Sequence, residues 1–419
     1  MINNFNKLNA SGKEAKYLKL FWLGFIIYTI CNVFSKTEYF SYIIFQAIQS
    51  LCLILIFFTG SYLIRFKFSN KYLKFFYIIY CIWLLLIIIR GFSFEYNFVK
   101  YLLFDSSYGI MPYFVPLILF FPKKVVFYKN IFDVIIILGI FYIIYVAVTI
   151  GELLNTNHAS LLSQGIVEYS SILSFPVSFL LLTFNYHSVK RKIFSAIVLS
   201  LTLLFAIYRA RRGMIFICSS QIIFAFFLYL INSKKKFLII FFSIIIALLV
   251  SNYIYDTMLK KDNLILGFLT ERGTEDTRTG VELSFYSDFK TKDWIFGRGI
   301  QGEYYCPNID ENQNTDYRSV IETGYLQIIL RGGLISFILI LLITLPAIFL
   351  GLFYSKNTLS KAAGLWILLW ALYLYPATME AFSLYYILFW ISIGICYSQT
   401  IRNISETEMK FLFHSKRLN

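Results

Sequence analysis

The sequence predicts an all-α, polytopic membrane protein of about twelve transmembrane helices with one long extracytoplasmic loop, and three observations predict it. Of 419 residues, 58% are hydrophobic, 20% aromatic and only 15% charged, which is not the balance of a soluble globular chain. Apolar runs near twenty residues recur along the whole length, enough each to cross a ~30 Å hydrocarbon core at ~1.5 Å per residue. Basic residues gather in every second connection between these runs, as a topology signal does. A β-barrel is excluded because 237–250 and 335–352 are almost unbroken apolar runs, where barrel strands alternate apolar and polar over ~10 residues.

Taken in order, the expected spans are 18–34, 41–64, 75–90, 101–121, 131–150, 169–185, 193–208, 214–232, 237–254, 333–354, 362–378 and 381–399. With the N-terminus in the cytoplasm, the inner connections carry Arg65, Lys67, Lys71 and Lys74, then Lys123, Lys124 and Lys129, then Lys190, Arg191 and Lys192, then Lys234, Lys235 and Lys236, then Lys356 and Lys361, and last Arg402, Lys410, Lys416 and Arg417. Both termini are then expected in the cytoplasm, and no cleavable signal is expected ahead of the first span. The net charge of +15 is thereby topological, and no nucleic acid is expected as a partner. Cys31, Cys52, Cys81, Cys218 and Cys396 lie in apolar runs and Cys306 in the long loop, with no metal or disulfide spacing.

This reading divides the chain into helices one to nine over 1–254, an extracytoplasmic loop over 255–332, and helices ten to twelve with a tail over 333–419. The loop is net acidic and is the one long water-exposed stretch, so the chemistry is expected there. Within it, 262–279 reads as irregular and 281–294 as an amphipathic helix suited to a membrane surface. The turn Phe296-Gly-Arg-Gly-Ile-Gln-Gly302 lacks the βαβ context of a nucleotide fingerprint, and 318–331 reads as a short helix ahead of Gly332-Gly333.

Arg209, Arg211 and Arg212 break the charge pattern, falling on the outer side at the tip of the hairpin between spans seven and eight. An arginine near the membrane centre costs ~2.5–3.5 kcal/mol on insertion scales, so three together need a reason. Either they snorkel to outer-leaflet phosphates, or their forked guanidinium groups build a phosphate site. Glu168 and Tyr169 open span six on the same side, and Glu380 sits in the short outer turn before the last span; each reads either as a solvated helix end or as facing a lumen.

Three landmarks carry a family resemblance: the hairpin Ala210-Arg-Arg-Gly213, the stretch from Arg278 through Asp293-Trp-Ile-Phe-Gly-Arg-Gly-Ile-Gln-Gly302, and Glu322-Thr-Gly-Tyr-Leu-Gln-Ile-Ile-Leu-Arg-Gly-Gly-Leu-Ile335. In order and sidedness they resemble the O-antigen ligase and O-antigen polymerase superfamily of bacterial membrane glycosyltransferases, whose architecture is of the GT-C type. The resemblance covers roughly 190–355. Glu322 stands where the ligases carry histidine, which favours the polymerase branch, and Ala210 stands where serine is usual.

The resemblance implies polymerisation of undecaprenyl-diphosphate-linked oligosaccharide into O-antigen or capsular polysaccharide, at the outer face of a bacterial inner membrane. It implies no cofactor and no metal, and as partners membrane lipids, a chain-length regulator and a flippase. Arg211, Arg212 and Arg278, supported by Arg209, are expected to stabilise the departing diphosphate, and Glu322 to act as general base beside Tyr325. Against these stand plainer readings: a helix N-terminal charge for Glu322 and a solvated loop residue for Arg278. Arg298, Arg318 and Arg331 are expected in structural or glycan-contacting roles, with Glu168, Tyr169 and Tyr325 as further substrate contacts. A ligase or protein O-oligosaccharyltransferase would use the same donor. A transporter would instead place charges near the midplane of its spans, where this sequence has few.

Overall fold

The computed structural model describes residues 12–37, 42–68, 70–154, 161–233, 278–307, 316–378 and 380–414. The expected span 237–254, the irregular stretch up to 277 and the loop segment 308–315 lie outside them. The described residues are 79% helical with almost no strand. Eight helices among the described residues are long and apolar enough to cross a membrane. The protein is therefore an all-α, multi-pass membrane protein.

Helices α1 (Gly12–Phe34) and α2 (Tyr42–Leu63) form the first antiparallel pair, and α3 (Lys71–Arg90) starts on an Asn70 cap whose side chain accepts the Leu73 amide at 3.0 Å. The expected span 101–121 is not one helix. Helix α4 (Tyr96–Phe104) stops at Asp105, and a 3-10 helix follows over Met111–Phe120, with Pro112 in its first turn and Pro116 inside it. Proline has no N–H for an α-helical bond, so the tighter winding is the local solution. Pro176 acts likewise: α6 (Leu161–Ser174) passes through a 3-10 turn into α7 (Ser178–Leu182). Helices α5 (Val125–Leu153), α8 (Val189–Tyr208) and α9 (Arg212–Asn232) complete this part.

After the loop come α12 (Gly324–Phe353), α13 (Thr358–Tyr373) and α14 (Leu384–Tyr397), followed by short α15 (Gln399–Asn403) and α16 (Glu406–His414). Helix α12 is broken at Gly333, whose φ of 68° is the left-handed conformation that suits glycine. Helices α13 and α14 are buried between the others, with Trp366, Trp370, Tyr373, Phe389 and Trp390 all at 0% exposure. The opposite is true of the periphery, where Ile43, Ile54, Phe58, Ile89, Ile223 and Phe349 are each more than half exposed. Such an apolar belt is stable against lipid and not against water.

The two ends of the bundle differ in charge. At one end Glu14 of α1 is buried and paired with Arg65 and Lys124, while Arg191 pairs with Asp133 at 2.6 Å and Arg402 donates to the Tyr354 carbonyl. At the other end lie the arginine hairpin between α8 and α9 and the loop. The loop is a small unit with its own core: α10 (Thr279–Asp288), α11 (Thr291–Phe296) and the strand pair β1 (Tyr304–Tyr305) with β2 (Tyr317–Arg318), gathered round Phe285, Phe289, Tyr304, Ile321 and Leu330. The expected single amphipathic helix over 281–294 is thus two helices, and Val281, Phe285, Phe289 and Trp294 of its apolar face pack into this core while Leu283 stays exposed. The helix expected over 318–331 begins only at Gly324, because Arg318 is in the strand pair and Thr323 takes the cap position.

Candidate functional site

The hairpin is tight enough that Ala210 sits at φ 49°, unusual for a residue with a side chain. Arg209 is 1% exposed and donates to the Glu152 carbonyl at the end of α5, at 2.5 Å, so it ties the hairpin to its neighbour. Arg211 turns the other way and pairs with Glu168 at 3.0 Å. Its buried Nε has no hydrogen-bond partner. Arg212 opens α9 with an exposed side chain. Of the two arginines that the sequence could not separate, Arg211 is the one turned into the bundle's polar end.

The segment after α13 is where hairpin and loop meet. Arg278, at the start of α10, donates Nη2 to the Pro376 carbonyl at 2.9 Å and Nε to Glu322 at 3.2 Å. A Cβ added at Gly213 would lie 3.2 Å from the same Pro376 carbonyl. A Cβ at Gly324 would lie 2.4 Å from the Ala377 carbonyl, so only glycine lets α12 start this close. Thr378 donates to the Ile321 carbonyl at 3.2 Å. Glu168 lies within electrostatic reach of both Arg211 and Glu322, so the Arg211–Glu168 and Arg278–Glu322 pairs belong to one charged patch.

Glu322 is exposed, at 67% of its side chain, and Thr323 beside it donates to Glu282 at 2.5 Å. Tyr325 donates its amide to the Leu374 carbonyl at 3.1 Å, so its backbone joins α12 to the same meeting segment. Tyr169 lies one residue past Glu168, under the Lys36 ammonium at 5.4 Å. Arg318 is in β2, across from Tyr304.

Arg298 has a structural task. It donates Nη1 to Asp288 at 2.5 Å and to the Glu303 carbonyl at 2.6 Å, and Nη2 to Asp293 at 2.8 Å and to the Asp288 carbonyl at 2.8 Å, over the face of Phe289. Burial works to raise the Asp288 carboxyl, yet the Arg298 and Tyr305 donors outweigh it and hold the group below the usual carboxylate range. The Gly297–Gly302 turn then docks on the bundle. Arg298 and Gly299 donate their amides to Leu330 and Arg331, Ile300 donates to Ile87 at the end of α3, and Arg90 donates to Phe296 at 2.7 Å. The glycines at φ 69° and 85° let backbone meet backbone here. The turn is a docking device, which fits its failure as a nucleotide fingerprint.

Beneath it Arg331 points inward, with Nη1 3.4 Å from the Tyr113 hydroxyl and its guanidinium over the Tyr108 ring at 5.5 Å. Its buried Nε has no partner, and no carboxylate lies within ion-pair distance among the described residues. Glu380, in the turn between α13 and α14, lies within its electrostatic reach. Burial pushes the Glu380 carboxyl up to about 7, with Arg331 opposing. Tyr80, Tyr113 and Tyr386 also lie within its electrostatic reach. Sequence reasoning left Glu380 between two readings; the available signal was an acid held within a few residues of two apolar runs, where charge is costly without a role.

Chemically, this end offers two guanidinium groups for an anion, two half-exposed carboxylates that neutralise them, and the partly buried carboxyl of Glu380. Among the described residues no three His, Cys, Asp or Glu side chains gather as a metal set. No family model, no curated protein and no solved structure matches the chain.

Proposed function

We propose that the chain is a glycosyltransferase that polymerises undecaprenyl-diphosphate-linked oligosaccharide at the outer face of the bacterial inner membrane. In this reading the end bearing Glu14, Arg65, Lys124 and Arg191 is cytoplasmic, because clustered lysine and arginine stay inside. The three shorter apolar helices, with the expected span 237–254 that lies outside the described residues, would bring the count to twelve, with both termini inside.

The observation that carries the reading is the convergence of Arg211 and Arg278, from elements far apart in sequence, on one polar patch at the loop end. Transfer at the anomeric carbon expels a lipid diphosphate, so negative charge grows on the leaving oxygen. Guanidinium groups fixed in advance stabilise that charge without reorganising, by ~3–4 kcal/mol per well-aimed donor. Before substrate arrives, Glu168 and Glu322 hold the two arginines in place. Half-exposed ion pairs of this kind are worth only ~0–1 kcal/mol, so a diphosphate displaces them readily. The exchange releases a carboxylate beside the acceptor. Glu322 takes the position of the ligases' histidine, which supports a growing glycan as acceptor.

The test is mass analysis of glycans from source cells lacking the chain. Single repeat units on the carrier are expected. Long, unattached polymer would instead make the protein a ligase, and an unchanged glycan profile would remove it from glycan assembly.

A further inference from the structure

We propose that the groove along the lipid-facing side of α3 is a binding site for an anionic phospholipid, with one acyl chain lying in the groove and the headgroup phosphate held by the lysines at its mouth. The site goes beyond the glycan-transfer reading and does not depend on it. Its mouth is at the start of α3, beside the Arg65 and Lys124 that share Glu14, whereas the other end of α3 docks the loop.

The groove has a volume of about 470 Å³. Sites for small ligands run from ~300 to ~1,000 Å³, so it has room for a chain. Its floor is one stripe of α3, where Lys74, Ile78, Ile82 and Leu85 follow one another at helical spacing. From Lys74 to Leu85 the helix rises ~16 Å, about half of a ~30 Å hydrocarbon core, so the stripe is one leaflet deep. Ile78, Ile82 and Leu85 are each open on the lipid side, which lets a lipid enter sideways.

The opposite wall is aromatic and fixed in place. Phe66 and Phe68, from the connection ahead of α3, pack on Phe120 of the 3-10 helix with ring centroids 4.9 and 5.0 Å away. Phe68 also meets Tyr77 of α3 at 5.6 Å, and the Arg65 amide donates to the Phe120 carbonyl at 3.1 Å. The slot is therefore built from three segments, unlike the convex apolar belt elsewhere on the bundle.

Charge selects the headgroup. Lys74 is the one charged residue lining the groove, Lys71 lies one turn before it, and Lys67 stands between the two wall phenylalanines. All three are exposed, and none forms an ion pair among the described residues. Basic clusters at the end of a membrane helix attract anionic headgroups, while a zwitterionic lipid brings its own cation and gains less.

The experiment titrates purified full-length chain in detergent micelles with palmitoyl-oleoyl phosphatidylglycerol or the matching phosphatidylcholine, counting retained lipid by native mass spectrometry. Wild type is expected to hold one phosphatidylglycerol roughly 10²-fold more tightly than phosphatidylcholine. K74Q should weaken phosphatidylglycerol roughly fivefold, and K67Q/K71Q/K74Q roughly 10²-fold, which removes the preference. I82W fills the groove and should weaken both lipids alike. If I82W does not fold, the lysine variants, which leave the groove's packing untouched, decide. Equal retention of the two lipids by wild type, or phosphatidylglycerol held as tightly by K67Q/K71Q/K74Q as by wild type, overturns the assignment. Displacement of the lipid by inorganic phosphate, or tighter retention of undecaprenyl phosphate than of phosphatidylglycerol, overturns it too: the first leaves an anion patch without a chain, the second a carrier-lipid site.

Discussion

Removing the Arg298 guanidinium should open the loop's dock on the bundle. The side chain makes four hydrogen bonds, two of them to the carboxylates of Asp288 and Asp293, from a site where all three side chains are only 22–27% exposed. Hydrogen bonds to charged groups contribute ~1.5–3 kcal/mol each, and deleting one partner of a buried ion pair costs ~3–5 kcal/mol. Partial exposure screens both, so Arg298→Ala should weaken the loop locally by about 2–4 kcal/mol. In hydrogen exchange that means amides of Arg298, Gly299 and Ile300, which bond to Leu330, Arg331 and Ile87, exchanging roughly 30- to 1000-fold faster, at ~1.4 kcal/mol per tenfold. Lysine at this position keeps the charge and loses the fork, and should fall between. The sign with pH follows from Asp288. Its carboxyl is depressed in the fold, so its contribution is complete above the ordinary aspartate range and is lost as pH falls through the lower folded value. Wild-type protection should therefore be flat from pH 5 to 8, decline only in strong acid, and lose that acid decline in Arg298→Ala. Protection in Arg298→Ala within about threefold of wild type at neutral pH would refute the clip.

Gly333→Ala places a Cβ 2.2 Å from the Ile295 carbonyl at φ 68°. Left-handed strain of ~1–2 kcal/mol and overpacking of ~1–3 kcal/mol should together lower the melting point in detergent sharply, where Gly280→Ala, with open space around it, should not. The Glu380 carboxyl, raised to about 7, ionises less easily folded than unfolded, so wild-type stability should fall as pH rises from about 4.5 through 7. Glu380→Gln should abolish that fall and be more stable at pH 8 by about 2–3 kcal/mol, read from thermal melts across pH. Glu14→Gln leaves Arg65 and Lys124 without their shared acid and should cost about 2–4 kcal/mol by the same melts; because Arg65 is well exposed, the lower figure is expected.

Much of the fold was legible because hydrocarbon thickness dictates run length, and charge clusters mark alternate connections. The expected spans 18–34, 41–64 and 193–208 fall on α1, α2 and α8 for that reason. The misjudged elements have local causes. Pro112, Pro116 and Pro176 wind their segments into 3-10 turns, and an apolar run read by hydropathy alone hides such a change. The 281–294 stretch has a helical pattern that breaks at Lys290, where the α11 cap begins. At the site, the hairpin arginines stood out because charge there opposes the topology signal. Glu380 did not, since its partial burial and its electrostatic coupling to Arg331 arise from tertiary packing between α12 and the turn after α13. Arg298 in its glycine-rich turn reads from sequence as either structural or glycan-contacting, and only the geometry places two aspartates on it.

The most direct measurement is elongation of lipid-linked oligosaccharide by purified protein in vesicles without nucleotide, comparing wild type with Arg211→Ala and Arg278→Ala. If the two guanidinium groups serve one departing diphosphate, wild type builds a ladder of products and each folded variant slows by roughly 10²–10³-fold. Variants that melt like wild type and build the same ladder at the same rate would contradict a shared anion site formed by hairpin and loop.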